Sequence, residues 1–113
     1  MPGHFLDLDT RFRLLRTLEK DPEITQRALA DQLGISLGKT HYCLRALVDK
    51  GWLKIHNFRR SRHKQRYLYK LTPSGIAEKT RITHRFLKRK VAEHQALTDE
   101  IERLRHELQQ NTT

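Results

Sequence analysis

Apolar residues recur every three or four positions near the start of the chain, which is the period of an amphipathic α-helix. The first such helix is expected to begin after a cap formed by Asp9 or Thr10 and to end near Lys20, because Asp21-Pro22 stops it. Its apolar face is predicted to consist of Phe12, Leu14, Leu15 and Leu18.

A second, shorter helix is predicted after Thr25, which is a good N-cap residue. Ile24 can pack against Leu29 across the first turn, as in a hydrophobic staple. Gly34 supplies the left-handed residue that ends the helix. The buried stripe is predicted to be Ala28, Leu29 and Leu33.

The third predicted helix starts at the cap Ser36 and ends at Gly51. A short helix, a tight turn at Gly34 and a second helix together predict a helix-turn-helix. The inward face of the third helix is predicted to be Thr40, Cys43, Leu44, Leu47 and Val48. The opposite face is predicted to carry Gly38, His41, Tyr42, Arg45 and Asp49.

Two β-prone segments follow, Trp52–His56 and Tyr67–Leu71, with residues 57–66 predicted as the tip of a hairpin. Between Lys54 and Lys70 there are seven Lys or Arg residues and no acidic ones. A helix followed by a cationic hairpin is the form of a winged helix-turn-helix. The predicted fold class is therefore mainly α with a small β-hairpin wing (α+β), followed by a long C-terminal helix.

The last helix is predicted to begin with the cap Thr72 and Pro73 and to continue to about Gln109. Apolar residues near its end alternate at spacings of four and three, which is typical of a coiled-coil seam. The seam predicts a homodimer, with residues 1–72 as the winged helix-turn-helix domain and 73–113 as the dimerisation helix. The predicted dimerisation residues are Leu87, Leu97, Ile101, Leu104 and Leu108.

Charge narrows the class of partner. The 113 residues carry a formal charge of +10, which favours an anionic partner such as nucleic acid. Residues 1–71 hold 15 basic and 7 acidic residues, and residues 72–113 hold 8 and 6, so the excess lies in the first part. The chain shows neither a signal peptide nor an apolar run long enough to span a bilayer, so we expect a cytoplasmic protein without a membrane partner.

Enzymatic and metal chemistry are not indicated. No nucleophile elbow, phosphate-binding glycine loop or catalytic carboxylate pair is present, so no enzymatic activity and no cofactor are expected. The seven histidines lack a spacing that suits zinc, so no metal site is predicted. The single cysteine, Cys43, is predicted to be a packing residue rather than a redox sensor.

The candidate chemistry is contact with duplex DNA. A major groove admits one helix, and a basic wing can lie along the backbone or enter the minor groove. The predicted recognition-helix residues are Ser36, Gly38, Lys39, His41, Tyr42 and Arg45. The predicted wing residues are Arg59, Arg60, Arg62, His63, Lys64 and Arg66. A further basic cluster is interpreted as a solvated helix face, with auxiliary phosphate contact as the alternative: Arg81, Arg85, Lys88, Arg89 and Lys90.

Two other functions stay open at this point. The protein could be an interaction adaptor whose basic wing docks on an acidic protein partner. Binding of single-stranded or structured RNA is less favoured, because the aromatic residues of the hairpin are expected to pack rather than to stack on bases. A small-molecule effector is compatible with the sequence, but no feature indicates one.

Several motifs resemble the MarR-type winged helix-turn-helix regulators of bacteria, over about residues 10–108. The general motifs are Leu29-Ala30-x-x-Leu33-Gly34-Ile35-Ser36, Leu47-x-x-Lys50-Gly51-Trp52-Leu53 and Leu71-Thr72-Pro73-x-Gly75. A more specific set resembles the short MarR-like regulators associated with exopolysaccharide genes. It includes Ile35-Ser36-Leu37-Gly38-Lys39, Lys54-Ile55-x-Asn57-Phe58-Arg59 and Phe86-Leu87-Lys88-Arg89-Lys90.

The resemblance implies a homodimeric, cytoplasmic bacterial transcription factor that binds duplex DNA. The resemblance to the more specific branch implies that this DNA lies at exopolysaccharide genes. It implies that the third helix reads the major groove and that an arginine occupies the wing tip, for which Arg60 and Arg62 are the candidates. The Asp-Arg pair usual in the wing of MarR proteins is absent, and residues 63–66 replace it. The chain also has one C-terminal helix where larger members have two.

Overall fold

The computed structural model describes residues 7–61 and 64–112, and within the hairpin it does not describe the side chains of residues 58–61 and 64–65. Within these described residues, four helices and two strands follow each other. They are α1 (Leu8–Lys20), α2 (Gln26–Leu33), α3 (Leu37–Asp49), β1 (Leu53–Ser61), β2 (Lys64–Leu71) and α4 (Pro73–Asn111). This mostly helical architecture with a two-stranded hairpin confirms the predicted fold class.

The cap of α1 differs from the prediction. Asp7, rather than Asp9 or Thr10, is the N-cap, and its carboxylate accepts the backbone N–H of Thr10 at 2.7 Å. This hydrogen bond lowers the pKa of Asp7. Asp9 instead lies in the first turn, where an acidic side chain complements the helix dipole. The helix ends at Lys20, as predicted.

The helix-turn-helix forms as predicted. Thr25 caps α2 by accepting the N–H of Ala28 at 3.0 Å, and Gly34 ends the helix with φ of +69°. Ser36 then caps α3. Gly51, with φ of +77°, follows α3 at the position predicted for its left-handed turn.

The core lies where the helices meet the base of the hairpin. α1 contributes Leu14, Leu15 and Leu18, while Phe12 is only half-buried. In α2 the buried stripe is Leu29, Ala30 and Leu33, so Ala28, which is half-buried, was wrongly included in the prediction. The rest of the core consists of Ile24, Thr40, Cys43, Leu44, Leu47, Leu53, Tyr69 and Ile82.

The hairpin strands are longer than predicted, because much of residues 57–66, predicted as the tip, belongs to them. The antiparallel ladder pairs Leu53 with Leu71, Ile55 with Tyr69 and Asn57 with Tyr67, and an irregularity lies between Arg59 and Ser61. Backbone pairing continues there without apolar alternation, because the hydrogen bonds of the ladder are made by backbone groups and not by side chains. Alternation therefore marked only the part of the hairpin that packs against the helices.

One edge of β2 contacts the turn between α1 and α2. The backbone N–H of Tyr69 donates to the carbonyl oxygen of Pro22 at 2.8 Å. The Tyr69 side chain is 1% exposed, and burial raises the pKa of its hydroxyl. Burial and this backbone hydrogen bond hold the base of the hairpin against the helices.

A charged cluster joins α1 to the start of α4. Arg11 donates to the Glu78 carboxylate at 2.7 Å, and Arg81 donates to the same group at 2.8 Å. The Arg11 guanidinium also lies 5.0 Å from the ring centre of Trp52, a cation–π distance. The hydrogen bond from Arg81, then that from Arg11, holds the pKa of Glu78 below its usual value.

α4 begins as predicted, because the Thr72 hydroxyl accepts the N–H of Gly75 at 3.0 Å and Pro73 is the first helical residue. The described residues divide into two compact units, one up to Ile82 and one from Thr83 onward, and α4 runs through both. At 39 residues it is about 58 Å long. In the first unit it buries Gly75, Glu78 and Ile82.

Candidate nucleic-acid interface

The outward face of α3 is polar, cationic and open to solvent. All six residues predicted for DNA recognition are exposed. The buried face of the same helix, with Cys43, Leu44 and Leu47, packs into the core and fixes how the outer face is presented. The exposed set is Ser36, Gly38, Lys39, His41, Tyr42 and Arg45.

The first turn of α3 is held by its cap. The Ser36 hydroxyl oxygen accepts the N–H of Lys39 at 3.0 Å, and the Ser36 carbonyl accepts the Thr40 hydroxyl at 2.9 Å. The Ser36 hydroxyl proton is therefore still able to donate to a phosphate oxygen. A methyl group added at Gly38 would meet no atom within 4 Å, so this glycine leaves open space above the helix backbone. A second molecule can approach the backbone closely there.

A groove of about 380 Å³ lies between the start of α2, the start of α3 and strand β2. Two arginines, Arg27 and Arg66, and one acidic residue, Glu23, are among the residues that line it. The groove is lined by Glu23, Ile24, Thr25, Gln26, Arg27, Leu37, His41, Arg66 and Tyr67. It therefore joins one residue of the predicted recognition helix, His41, to one residue of the predicted wing, Arg66.

Of the nine residues that line this groove, only His41 and Arg66 were predicted as site residues, and those that were missed include Arg27, Leu37 and Tyr67. Leu37 is 46% exposed and Tyr67 is 38% exposed, although both are large and apolar or aromatic. Tyr67 had been expected to pack within the hairpin, and its ring centre does lie 6.3 Å from that of Tyr69. Arg27 could have been found from its place in the first turn of α2, where a helix N-terminus favours anions.

The wing is described only in part. Arg66 is half-buried in β2 beside the groove. Arg59, Arg60 and Lys64 lie within the strands, but the structure does not describe their side chains. Arg62 and His63 lie outside the described residues. The wing-tip assignments thus stay predictions.

The other sequence predictions concern single residues. Cys43 is fully buried, and burial raises the pKa of its thiol, which makes it a poor nucleophile. Within residues 7–61 and 64–112, no three His, Cys, Asp or Glu side chains lie together in a way that could hold a metal ion. In the same residues, no helix combines the length and the apolar character that crossing a membrane requires.

The predicted dimerisation residues of α4 are exposed in the single chain. Leu97, Ile101, Leu104 and Leu108 are 56%, 40%, 52% and 66% exposed, and Leu87 is 60% exposed. The first four of these side chains follow one another along one face of the helix, and removing such apolar side chains from water is favourable.

Basic residues of the α4 cluster have partners on their own helix. Arg81 pairs with Glu78, Lys90 lies 3.3 Å from Glu93, and the Arg89 guanidinium lies 4.7 Å from the ring centre of Phe86. These local contacts agree with the interpretation of a solvated helix face.

Comparison with known proteins supports the fold. Residues 7–54 match the protein family described as winged helix-turn-helix DNA-binding. A search of curated proteins found no significant match. A transcriptional regulator homologue from Pyrococcus horikoshii OT3 aligns with a TM-score of 0.61 and 20% identity, covering 82% of this chain and 90% of that one.

Two structures determined with DNA are also similar. The MepR–DNA complex of S. aureus aligns with a TM-score of 0.60 and 21% identity, over 77% of this chain and 60% of MepR. A mutant MarR from E. coli complexed with operator DNA aligns with a TM-score of 0.56 and 24% identity, over 81% and 73%. The chain therefore has the winged helix-turn-helix fold found in MarR-type transcriptional regulators.

Proposed function

We propose that this protein is a sequence-specific, double-stranded DNA-binding transcriptional regulator that acts as a homodimer. The observation that carries the proposal is the exposed polar face of α3, which adjoins a groove that contains Arg27 and Arg66. The match of residues 7–54 to a DNA-binding family supports it. So do the similar structures of MepR and MarR, which were determined with DNA.

In this proposal α3 enters the major groove. Lys39 and Arg45 are exposed cations that can donate to guanine edges or to phosphates, and His41 and Tyr42 can hydrogen bond or contact a thymine methyl. The open space at Gly38 allows the helix backbone to come close to the DNA. These contacts supply the sequence specificity.

The groove beside α3 receives the phosphate backbone. The first turn of α2 offers backbone N–H groups and the positive end of the helix dipole, and the Arg27 side chain adds a full charge. Arg66 lies on the other side of the same groove. Phosphate contacts of this kind fix the orientation of a protein on the duplex and make its affinity depend on salt.

The exposed apolar residues of α4 pair two copies. A two-fold symmetric dimer would place two recognition helices on half-sites about one DNA turn apart, so the operator would be pseudo-palindromic. The resemblance to regulators associated with exopolysaccharide genes makes the promoters of such genes the operators that we propose. This assignment rests on the sequence motifs alone.

Fluorescence anisotropy of the full-length protein tests the proposal. Labelled duplexes would come from upstream of its own gene and of exopolysaccharide genes, with a scrambled duplex of the same composition as control. Roughly six phosphate contacts per subunit predict a slope of log K against log salt of about −5 or steeper. Binding to one duplex that survives excess scrambled DNA is the expected result.

A pair of variants separates recognition of the base sequence from general electrostatic attraction to DNA. Arg45→Ala should reduce affinity for the operator more than for the scrambled duplex. Arg103→Ala removes the same charge from exposed α4 and should change neither. Equal, weak binding to every duplex would overturn the proposal and favour the adaptor function, in which the basic wing docks on an acidic protein.

A further inference from the structure

The charges that flank the apolar seam of α4 are arranged asymmetrically. With Ile101 and Leu108 as heptad position a, and Leu97 and Leu104 as position d, the two flanks of the seam are positions g and e. Position g carries Glu93, Glu100 and Glu107. Position e carries Val91, Thr98 and Arg105. One flank is therefore acidic throughout, and the other flank carries one cation.

We infer that the 97–108 segments of two copies pair in parallel and in register, with Glu100 of each copy beside Arg105 of the other. This inference rests on the proposed homodimer and adds its orientation. In a parallel two-stranded coiled coil, a residue at g lies next to the e residue of the following heptad on the second helix. Glu100 and Arg105 have this relation, and the two-fold symmetry produces the pair twice. Both side chains are exposed in the single chain.

The apolar core alone does not decide the orientation. In an antiparallel pair centred between residues 102 and 103, Ile101 would face Leu104, and Leu97 would face Leu108, so every layer would again be apolar. The flanks decide it, because antiparallel helices bring g beside g and e beside e.

In that antiparallel arrangement Glu100 would lie beside Glu107 of the second copy, twice. Thr98 would lie beside Arg105, which offers no compensating attraction. Shifting the antiparallel register by one heptad places Glu100 beside Glu100 and Glu93 beside Glu107. Like charges therefore meet in both antiparallel registers. In the parallel pair Glu100 lies beside Arg105 instead, and no two of these glutamates are neighbours across the seam.

Parallel pairing is compatible with the two-fold symmetry of the proposed operator. It brings the N-terminal ends of both 97–108 segments to the same end of the coiled coil. An antiparallel pair would separate these ends by the length of the segment, about 17 Å for 12 residues. The charge pattern thus favours parallel pairing, in which both segments begin at the same end of the coiled coil.

Charge reversal in the full-length protein, followed by sedimentation equilibrium at low salt, tests the orientation. In a parallel pair, Glu100→Arg puts two cations together and should raise the dissociation constant of the dimer about tenfold. Arg105→Glu should do the same. The double variant, Glu100→Arg with Arg105→Glu, restores opposite charges and should return to within about twofold of the unchanged protein. Glu102→Arg, on the solvent side of the helix, is the matched control.

An antiparallel dimer predicts the opposite effect of Glu100→Arg on the dissociation constant. If the helices were antiparallel and centred as above, the arginine introduced at position 100 would face Glu107, and Glu100→Arg would tighten the dimer. That result would overturn the parallel arrangement while leaving the proposed homodimer intact. A protein that sediments as a monomer at all concentrations would instead overturn both.

Cross-linking provides an independent readout. Asn111 continues the d positions of the seam, so Asn111→Cys in a parallel dimer places two thiols within disulfide reach, with Cα atoms about 6 Å apart. In the antiparallel pair the same two positions would lie about 25 Å apart. Rapid formation of a covalent dimer on mild oxidation is expected. A non-covalent dimer that resists cross-linking would contradict the parallel orientation. The native Cys43 is buried and serves as the internal control in the unchanged protein.

Discussion

Gly75 lies directly against the backbone of Trp52. A methyl group at Gly75 would overlap the Trp52 carbonyl oxygen and come within 2.9 Å of its carbonyl carbon. The same carbonyl oxygen accepts the N–H of Thr72 at 3.0 Å, so its position is fixed. The motif Leu71-Thr72-Pro73-x-Gly75 therefore has a steric cause, because α4 can begin here only if its first turn has no side chain at Gly75.

Gly75→Ala should destabilise the protein, although alanine is the better helix former. The obstacle is backbone that cannot move aside, so we expect a loss of about 3 kcal/mol in the free energy of unfolding. Urea denaturation followed by circular dichroism measures it. An unchanged or raised midpoint would show that the first turn of α4 has room for a methyl group beside Trp52.

Gly38→Ala should have the reverse effect on stability. Its added methyl group meets open space within α3, so helix propensity should raise the free energy of unfolding by up to about 1 kcal/mol. Affinity for the operator should fall by about 1 kcal/mol or more, because the methyl occupies space that DNA would use. Urea denaturation measures the change in stability and fluorescence anisotropy measures the change in operator affinity, both on the same preparation. A variant that binds DNA normally would remove Gly38 from the interface.

Glu78→Gln should lower the free energy of unfolding and make it depend less on pH. Glu78 is 9% exposed and its folded pKa is lowered, so its contribution is present above the unfolded pKa near 4.5 and is lost as pH falls through the folded pKa. The substitution removes the negative charge that lies 2.7 Å from the largely buried Arg11 guanidinium. This should cost about 3 kcal/mol at neutral pH.

Denaturation of Glu78→Gln at pH 7 and at pH 3 should show a smaller difference than in the unchanged protein. The exposed Glu102→Gln is the control. An equal acid sensitivity in both variants would assign that sensitivity to other carboxylates, such as Asp7.

Arg27→Ala should weaken binding to operator and scrambled DNA alike. A lost phosphate contact carries no sequence information, and it should make the salt slope shallower by about one per subunit. Anisotropy at several salt concentrations measures the slope, with Arg103→Ala as the variant of equal charge. A selective loss for the operator would instead place Arg27 at a base edge.

Ile101→Ala combined with Leu104→Ala should weaken dimerisation and, with it, operator affinity. Both side chains lie on the exposed seam, and each truncation removes apolar area that a dimer would bury. We expect at least a hundredfold rise in the dissociation constant, by sedimentation equilibrium. Glu102→Ala with Gln109→Ala, away from the seam, is the control. Sedimentation unchanged by the seam variant would exclude this interface.

The sequence predicted the helix-turn-helix well because its signals are local. Thr25 and Ser36 form the predicted caps, and Gly34 and Gly51 have the predicted positive φ. The exposed face of α3 followed directly from helical periodicity. The exact cap of α1 was missed, because Asp7 and Asp9 are equally suitable by residue type and only the direction of the preceding backbone distinguishes them.

The groove could not be predicted from the sequence, because it depends on tertiary contacts. Arg27 and Arg66 are 39 positions apart and line the same groove only because the base of the hairpin packs against the helices. The strand lengths were underestimated for a related reason. Polar residues can pair through their backbone without showing any alternation that a pattern would detect.

The hydrogen bond from Tyr69 to the Pro22 carbonyl has a consequence for solubility. A two-stranded sheet has two unpaired edges, and each can recruit a strand from another chain and begin aggregation. Here the turn before α2 occupies the outer edge of β2 at Tyr69, and Pro22 has no N–H with which to extend the ladder. The turn therefore occupies the β2 edge at Tyr69, so a strand from another chain cannot pair with the base of the hairpin at that point.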